Sequence, residues 1–315
     1  MSKNIAKEPD TRRLGIPRAM LYYRYRVLWK RFFDELGLEV RLSPPTNRDI
    51  LQQGTAAAMD EACLSTKIYL GHVRSLLDGC DLILVPRVAS FGHQRVMCTK
   101  FQALYDLTCN TFPEYREKFI SYNIDIPEKK DEEGALLALA ASLGFPRKAA
   151  RNAYKQAKKA EQEDWKQRCR TQERLYQRKD LKLLLVAHSY VLDDPYIGRP
   201  VTDYLRELGV LPLRADVVDR KEALKQSLRV SPTLKWEFSR ELVGSVAINK
   251  EKVDGIILMS AFPCGPDAMV NEMIPYKFPE IPTLKLVLDD QSGTAGMETR
   301  LESFVDIIRM KKGVL

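Results

Sequence analysis

Residues 255–274 read GIILMSAFPCGPDAMVNEMI, and this stretch decides the fold. Gly255–Ala261 is an apolar run of strand length. Pro263, Gly265 and Pro266 then force a tight, fixed turn, and Asp267–Ile274 resumes at helical spacing. A strand that passes through one short loop into a helix is the unit from which parallel sheets are built.

Working outward, the same unit recurs. Downstream, Thr283–Leu288 reads as a strand and Thr294–Met310 as a helix. Upstream lie strand Leu181–Ala187, helix Pro200–Leu208, strand Val210–Val217 and helices to about Lys250. The first part of the chain repeats the order: strand Arg12–Pro17, helix Ala19–Leu36, strand Leu38–Leu42, and helix Asn47–Ala58 with Asn47 as N-cap. A loop at Asp60–Cys63 then leads to a helix through Ile68–Leu77. Asp81–Pro86 (DLILVP) is apolar enough for a strand buried on both faces. Between the halves, Glu132–Lys179 reads as helix broken at Phe145-Pro146. Its second half is largely polar, as in a helix that bridges domains or lies on the surface. No residue-level repeat relates the halves.

With 315 residues, the expectation is three segments: an N-terminal α/β domain over 1–130, a helical connector over 131–180 and a C-terminal α/β domain over 181–315. Apolar residues make up 45% and charged residues 29%. No apolar run approaches the ~20 residues of a membrane-spanning helix. The first residues, MSKNIAKEPDTRR, lack the apolar core of a signal peptide, so a cytoplasmic protein is expected. The formal charge of +8 is concentrated: Arg147–Lys182 holds 13 Lys/Arg against 5 Asp/Glu. Without a helix-turn-helix or zinc-finger pattern, this reads as a solvated, partner-facing helix and not as a nucleic-acid site.

Six cysteines are too few for a disulfide scaffold. Cys264 directly follows the 255–261 strand. Cys98 lies in the loop after the DLILVP strand, where another helix opens, and Cys63 precedes a helix in DEACLSTK. In open α/β sheets, ligands gather in such loops, and a helix N-terminus stabilises a thiolate or an anionic group. Cys80 enters a strand, Cys109 lies about 16 Å along a helix from Cys98, and Cys169 belongs to the polar helix, so none is placed to join the others. Packed thiols compete with a ligand site here. No CxxC pair or His-rich cluster marks a local zinc or ferredoxin site.

Several stretches together resemble the DUF2229-type relatives of the 2-hydroxyacyl-CoA dehydratases, known as acyl-CoA dehydratase activase-related proteins. These are LGIPRAMLYY, LGLEVRLSPPTN, DEACLSTKIYLGHV, DLILVPRV, CTKFQ, DPYIGRPVTDYL, GIILMSAFPCGPDAM and LVLDDQSGTAGMETRLESF, spanning most of residues 14–304. The resemblance implies two flavodoxin/Rossmann-like domains with parallel sheets, joined by a long helical segment. It also implies a [4Fe–4S] cluster between them, held by Cys63, Cys98 and Cys264 with one iron open. Such an iron can act as a Lewis acid, and the cluster can deliver an electron. A separate ATP-hydrolysing activator of the actin-like fold would supply that electron. This chain itself carries neither a GxxxxGK[ST] nor a GxGxxG stretch. An acyl-CoA or other small substrate, and a dimer, are further implications. Two departures stand out: CLSTK replaces the CxPxK of many relatives, and LVLDDQSGTAG lacks the histidine that often follows the acid. A cluster-bearing scaffold and a zinc or thiol site without iron are the competing readings.

Other residues divide between function and structure. Lys67, His72 and Lys100 could offer positive charge to a cluster or be solvated. His93 could hydrogen-bond a cluster sulfide or face solvent, and His188 ends a strand, where it could cap a carbonyl. Tyr196, Gly198 and Arg199 of DPYIGRP precede a helix, and Arg199 offers a fork of donors to a phosphate or carboxylate. Asp267 is expected to cap its helix. Glu272 and Glu298 are acid/base candidates, with His93 the third catalytic candidate.

Overall fold

The computed structural model describes residues 12–290 and 294–313. In chain order, its first part consists of β1 (Arg13–Ile16), α1 (Tyr22–Glu35), β2 (Glu39–Leu42), α2 (Arg48–Ala57), α3 (Leu64–Arg74), β3 (Leu82–Leu84), β4 (Arg87–Ser90), α4 (Thr99–Gln102), α5 (Leu104–Thr111), β5 (Phe119–Ile120) and β6 (Asn123–Asp125). Two helices follow, α6 (Glu132–Ser142) and α7 (Arg147–Tyr176). The last part holds β7 (Leu181–Val186), α8 (Ser189–Leu192), α9 (Arg199–Glu207), β8 (Val210–Arg214), α10 (Arg220–Val230), α11 (Glu237–Asn249), β9 (Gly255–Ala261), α12 (Gly265–Lys277), β10 (Thr283–Leu288) and α13 (Thr294–Lys312).

Two four-stranded sheets result, ordered β2-β1-β3-β5 and β10-β9-β7-β8, and every pairing within them is parallel. Renumbered within its own half, each sheet runs 2-1-3-4. This is the doubly wound order, with the chain reversing direction between its first and third strands. The two halves thus share topology despite having no residue-level repeat. The α/β, parallel-sheet class read from the sequence is the class observed.

The strand expected over Asp81–Pro86 is shorter, and its reason is Pro86. Val85 and Arg87 donate to Ile120 and Tyr122 carbonyls at 2.8 and 2.9 Å, but Pro86 between them has no N–H to give. The chain leaves the sheet there, and β4 pairs instead with β6 in a separate two-stranded sheet. Cys98 therefore follows β4 and not the DLILVP strand. Strands β5 and β6, of two and three residues, were too short to show a period.

Packing follows the sequence pattern. On α1, Tyr25, Leu28, Trp29, Phe32 and Phe33 recur at helical spacing and are buried. The small residues Ala150, Ala153 and Ala157 let α7 lie against this helix. Near its other end, α7 is stitched to the second sheet by Gln172, whose amide donates to the Arg214 and Val217 carbonyls at 2.7 and 2.6 Å and accepts from Arg214 N–H at 3.0 Å. The basic helix therefore bridges the halves. In the second sheet, Leu183, Leu185 and Ile257 join the large core shared with the first half. Leu184, Val186, Ile256 and Leu258 face a second cluster with α11 and α12. This is the two-faced burial that continuous apolar strands require. Helices α2 and α3 cross closely enough that a Cβ on Gly54 would lie 1.8 Å from the Lys67 carbonyl oxygen, and one on Gly71 would lie 1.9 Å from that of Ile50.

Candidate functional site

Cys63, Cys98 and Cys264 are the N-cap residues of α3, α4 and α12, each with extended backbone (ψ 150°, 158° and 110°). None uses its side chain as a cap; all three are free thiols and partly buried. The loops that carry them are tied together by backbone bonds across long sequence distances. Leu64 N–H, next to Cys63, donates 2.8 Å to the Phe262 carbonyl, two residues before Cys264. Val96 N–H donates to the Lys235 carbonyl at 3.0 Å and its own carbonyl accepts from Glu237 N–H at 2.9 Å, which pins the Cys98 loop to the start of α11. Arg95 reinforces this hinge with a bidentate pair to the buried Glu237.

His188, which follows β7, and Tyr190 stand at the centre. Their rings stack at 5.0 Å, Phe101 and Phe238 pack around them, and one cleft is lined by Cys98, Cys264, His188 and Tyr190 together. Both His188 and Cys264 follow the paired neighbours β7 and β9, whose onward connections run to opposite edges of the sheet, the point at which a doubly wound sheet opens a crevice. His188 Nε2 is 2.9 Å from Asp267 Oδ1, with both residues buried. Asp267 Oδ2 is buried without a hydrogen-bond partner among the described residues.

The electrostatics of this spot are one-sided. Burial pushes the Tyr190 hydroxyl far above its ordinary range, and Asp267, Cys264, Cys98 and Cys63 push it in the same direction. Burial, then Asp267, holds the Cys264 thiol well above normal, against one backbone N–H from Asp267. Burial raises Cys98 as well, with the Phe101 and Lys100 backbone N–H groups opposing and Cys63 and Asp267 adding to it. Thiols raised in this way are poor nucleophiles, since reactive cysteines need a lowered pKa. Four would-be anions crowd one place, and that donor set suits a cationic centre. As the side chains stand, no group of three or more His, Cys, Asp or Glu among the described residues is arranged to hold a metal ion. The donor set of three thiols and one carboxylate is of a kind that binds a metal centre, but among the described residues it forms no closed coordination shell.

The remaining candidates fall elsewhere. Asp267 does not cap α12, because its side chain is committed to His188. His72 is no cation. It is fully buried between Ser43 Oγ (2.8 Å from Nδ1) and Thr46 Oγ1 (2.9 Å from Nε2), and burial, aided by Arg18, lowers its pKa to about 3. Lys67 is taken by Asp290 at 3.2 Å, beyond the end of β10. Lys100 is half-buried on α4, two residues after Cys98. His93 is exposed on the turn after β4 and lines neither central cleft. Glu272 is exposed and paired with Lys285 at 2.6 Å, and Glu298 is half-buried on α13 near Tyr204. In DPYIGRP, the organising residue is Asp194. It accepts from Tyr196 and Ile197 N–H at 2.9 and 3.1 Å and from Thr46 Oγ1 at 2.6 Å. Tyr196 is largely exposed, Arg199 lines a separate cavity beside Asp193 and Arg214, and Gly198 is required because a Cβ would sit 1.9 Å from the Val191 carbonyl oxygen. Tyr190 was missed by sequence reasoning; its position two residues after His188, in the same strand-end loop, was the available signal. Part of LVLDDQSGTAG, residues 291–293, lies outside the described residues.

Residues 13–218 match the family described as the CoA enzyme activase uncharacterised domain, DUF2229. The chain belongs to this family. Its matched region contains Cys63, Cys98, His188 and Asp194, whereas Cys264 and Asp267 lie beyond it. No curated protein matches. Among solved structures, a "putative phosphosugar isomerase" from Bacillus subtilis aligns over 97% of this chain and 90% of its own, at 9% identity and a TM-score of 0.23. Among the described residues, no helix is long and apolar enough to cross a membrane.

Proposed function

We propose that this DUF2229 member is an iron–sulfur redox protein that works with a CoA-processing enzyme, and that Cys63, Cys98 and Cys264 hold a [4Fe–4S] cluster in the crevice between the halves. The observation that carries this reading is the convergence of three N-cap thiols and Asp267 on one partly buried spot, where Asp267 and Cys63 both push the Cys98 and Cys264 thiols up. The family description supports a CoA enzyme as the partner class. An ATP-hydrolysing activator is the proposed electron source.

When bound, the cluster would supply one-electron chemistry and an iron with an open position. The chain's own contribution is positional. Cys98 and Cys264 sit at helix starts, where the backbone N–H groups of Lys100, Phe101 and Asp267 favour thiolate over thiol. Loading displaces protons from buried thiols, so uptake should rise with pH. Phe101, Tyr190 and Phe238 keep the spot dry, and the Asp267 contact fixes the orientation of His188.

Anaerobic reconstitution with ferrous iron and sulfide tests the reading. Expected are iron and acid-labile sulfide in equal amounts with a cluster spectrum, both lost in Cys98→Ala and Cys264→Ala and kept in Cys169→Ser. Iron at background in the parent chain, iron unchanged in the first two variants, or stoichiometric zinc after the same treatment would defeat it.

A further inference from the structure

On the far side of His188 and Phe238 from the cysteines lies a second cleft, lined by Trp165, Arg168, Arg220, Arg24 and Glu241 among others. It opens at the carboxyl ends of β7 and β8, where α7 crosses from one half to the other. The four arginines here and nearby divide two and two in how their charge is met. Arg24 is closed by Glu241 in a bidentate pair at 2.7 and 2.8 Å. Arg214, adjoining the cleft, is held by both Asp193 and Asp216. Among the described residues Arg220 has no such partner: its guanidinium carbon lies over Trp165, 3.7 Å from the ring centroid, and its Nε is buried without a hydrogen bond. Arg168 stands 5.2 Å from the same ring and likewise forms no ion pair with a described residue.

A guanidinium largely removed from water without a carboxylate bonded to it is costly: burial together with Arg24 lowers the Arg220 pKa to about 10, although Glu241 and Glu161 oppose this and Asp216 lines the same cleft. The carboxylates at this spot are already committed to Arg24 and Arg214. What two unpaired guanidinium forks beside an indole ring match is an oxyanion that accepts several hydrogen bonds at once. We propose that Trp165, Arg168 and Arg220 form a binding site for the phosphate group of a small organic ligand. Because His188 and Phe238 line this cleft and the cysteine cleft alike, a ligand anchored here would extend toward Cys98 and Cys264. The packed side chains leave only about 20 Å³, room for roughly one water molecule, so the proposed site requires the half-buried Arg168 to swing outward when the anion binds. The site stands on its own residues and does not need the cluster.

The test uses the metal-free full chain, titrated with inorganic phosphate and pyrophosphate at constant ionic strength while tryptophan fluorescence is followed. A saturable change is expected, weakened at least tenfold in both Arg168→Gln and Arg220→Gln, with chloride silent. Circular dichroism reports whether each variant folds; if Arg220→Gln does not, Arg168→Gln decides. No saturable response in the parent chain, equal affinity in the folded variants, or the same response to chloride would overturn the proposal. Retained iron binding in these variants separates this outcome from that of the cysteine reading.

Discussion

His188 Nε2 lies 2.9 Å from Asp267 Oδ1, while Oδ2 of the same carboxylate is buried with no partner among the described residues. A half-satisfied carboxylate in low dielectric raises the cost of any neighbouring negative charge. Cys264 bears that cost, since Asp267 is the largest influence on its thiol after burial. Asp267→Asn should therefore lower the Cys264 pKa. Alkylation of the metal-free, reduced protein at neutral pH should become severalfold faster at Cys264, measured by peptide mass mapping against time. An unchanged rate would separate the carboxylate from the thiol.

The Arg24–Glu241 pair joins α1 to α11 with both side chains largely buried. Removing one partner strands the other charge, at a cost of about 3–5 kcal/mol. Glu241→Ala should lower the urea midpoint by that equivalent. The double change Arg24→Met/Glu241→Leu should recover most of it, because apolar packing replaces the pair.

His72 makes stability depend on pH. Its folded pKa of about 3 lies below the ordinary 6.5, so between these values the unfolded chain binds a proton that the folded chain refuses. The contribution is whole above 6.5 and falls as pH drops, by at most about 1.4 kcal/mol per pH unit. Asp194, joined to His72 through Thr46, acts oppositely: burial raises its pKa, so the folded chain holds that proton longer, most strongly near and just above its ordinary 3.8. The His72 slope should therefore dominate between pH 6.5 and about 5. Thermal melts of the parent chain should decline across that window, and those of His72→Gln should be flatter.

Gly71→Ala should be among the most damaging small substitutions. Its new Cβ would meet the Ile50 carbonyl oxygen at 1.9 Å, and this is backbone that cannot rotate away, so α2 and α3 must separate. A loss of about 2–4 kcal/mol is expected by chemical denaturation. Gly265→Ala, which meets nothing within 4 Å, should be close to neutral and serves as the control.

Periodicity was a sound guide to most of the fold. Gly255–Ala261 and Thr283–Leu288 are strands at the predicted bounds, and Asn47 caps α2 by accepting from Ile50 N–H at 2.9 Å. These features depend on neighbours in the chain, where side-chain pattern and local hydrogen bonding act. The break at Pro86 was legible in principle, since proline cannot donate to a ladder. The β4–β6 pairing was not, because two- and three-residue strands carry no period.

The candidate site divides in the same way. The sequence alone placed Cys63, Cys98 and Cys264 at helix starts, because Pro and Gly turns and the onset of apolar spacing are local signals. That these loops meet around His188 and Tyr190 was decided by tertiary contacts, such as the Leu64–Phe262 and Val96–Lys235 bonds, which span long stretches of chain. The same holds for His72, whose charge is set by burial between Ser43 and Thr46, and for Asp267, whose partner comes from a strand end 79 residues away. Arg220 is the clearest case. Nothing in its sequence neighbourhood distinguishes it from the other basic residues, and only folding removes the water around its charge while the nearby Glu241 and Asp216 bond to Arg24 and Arg214 instead.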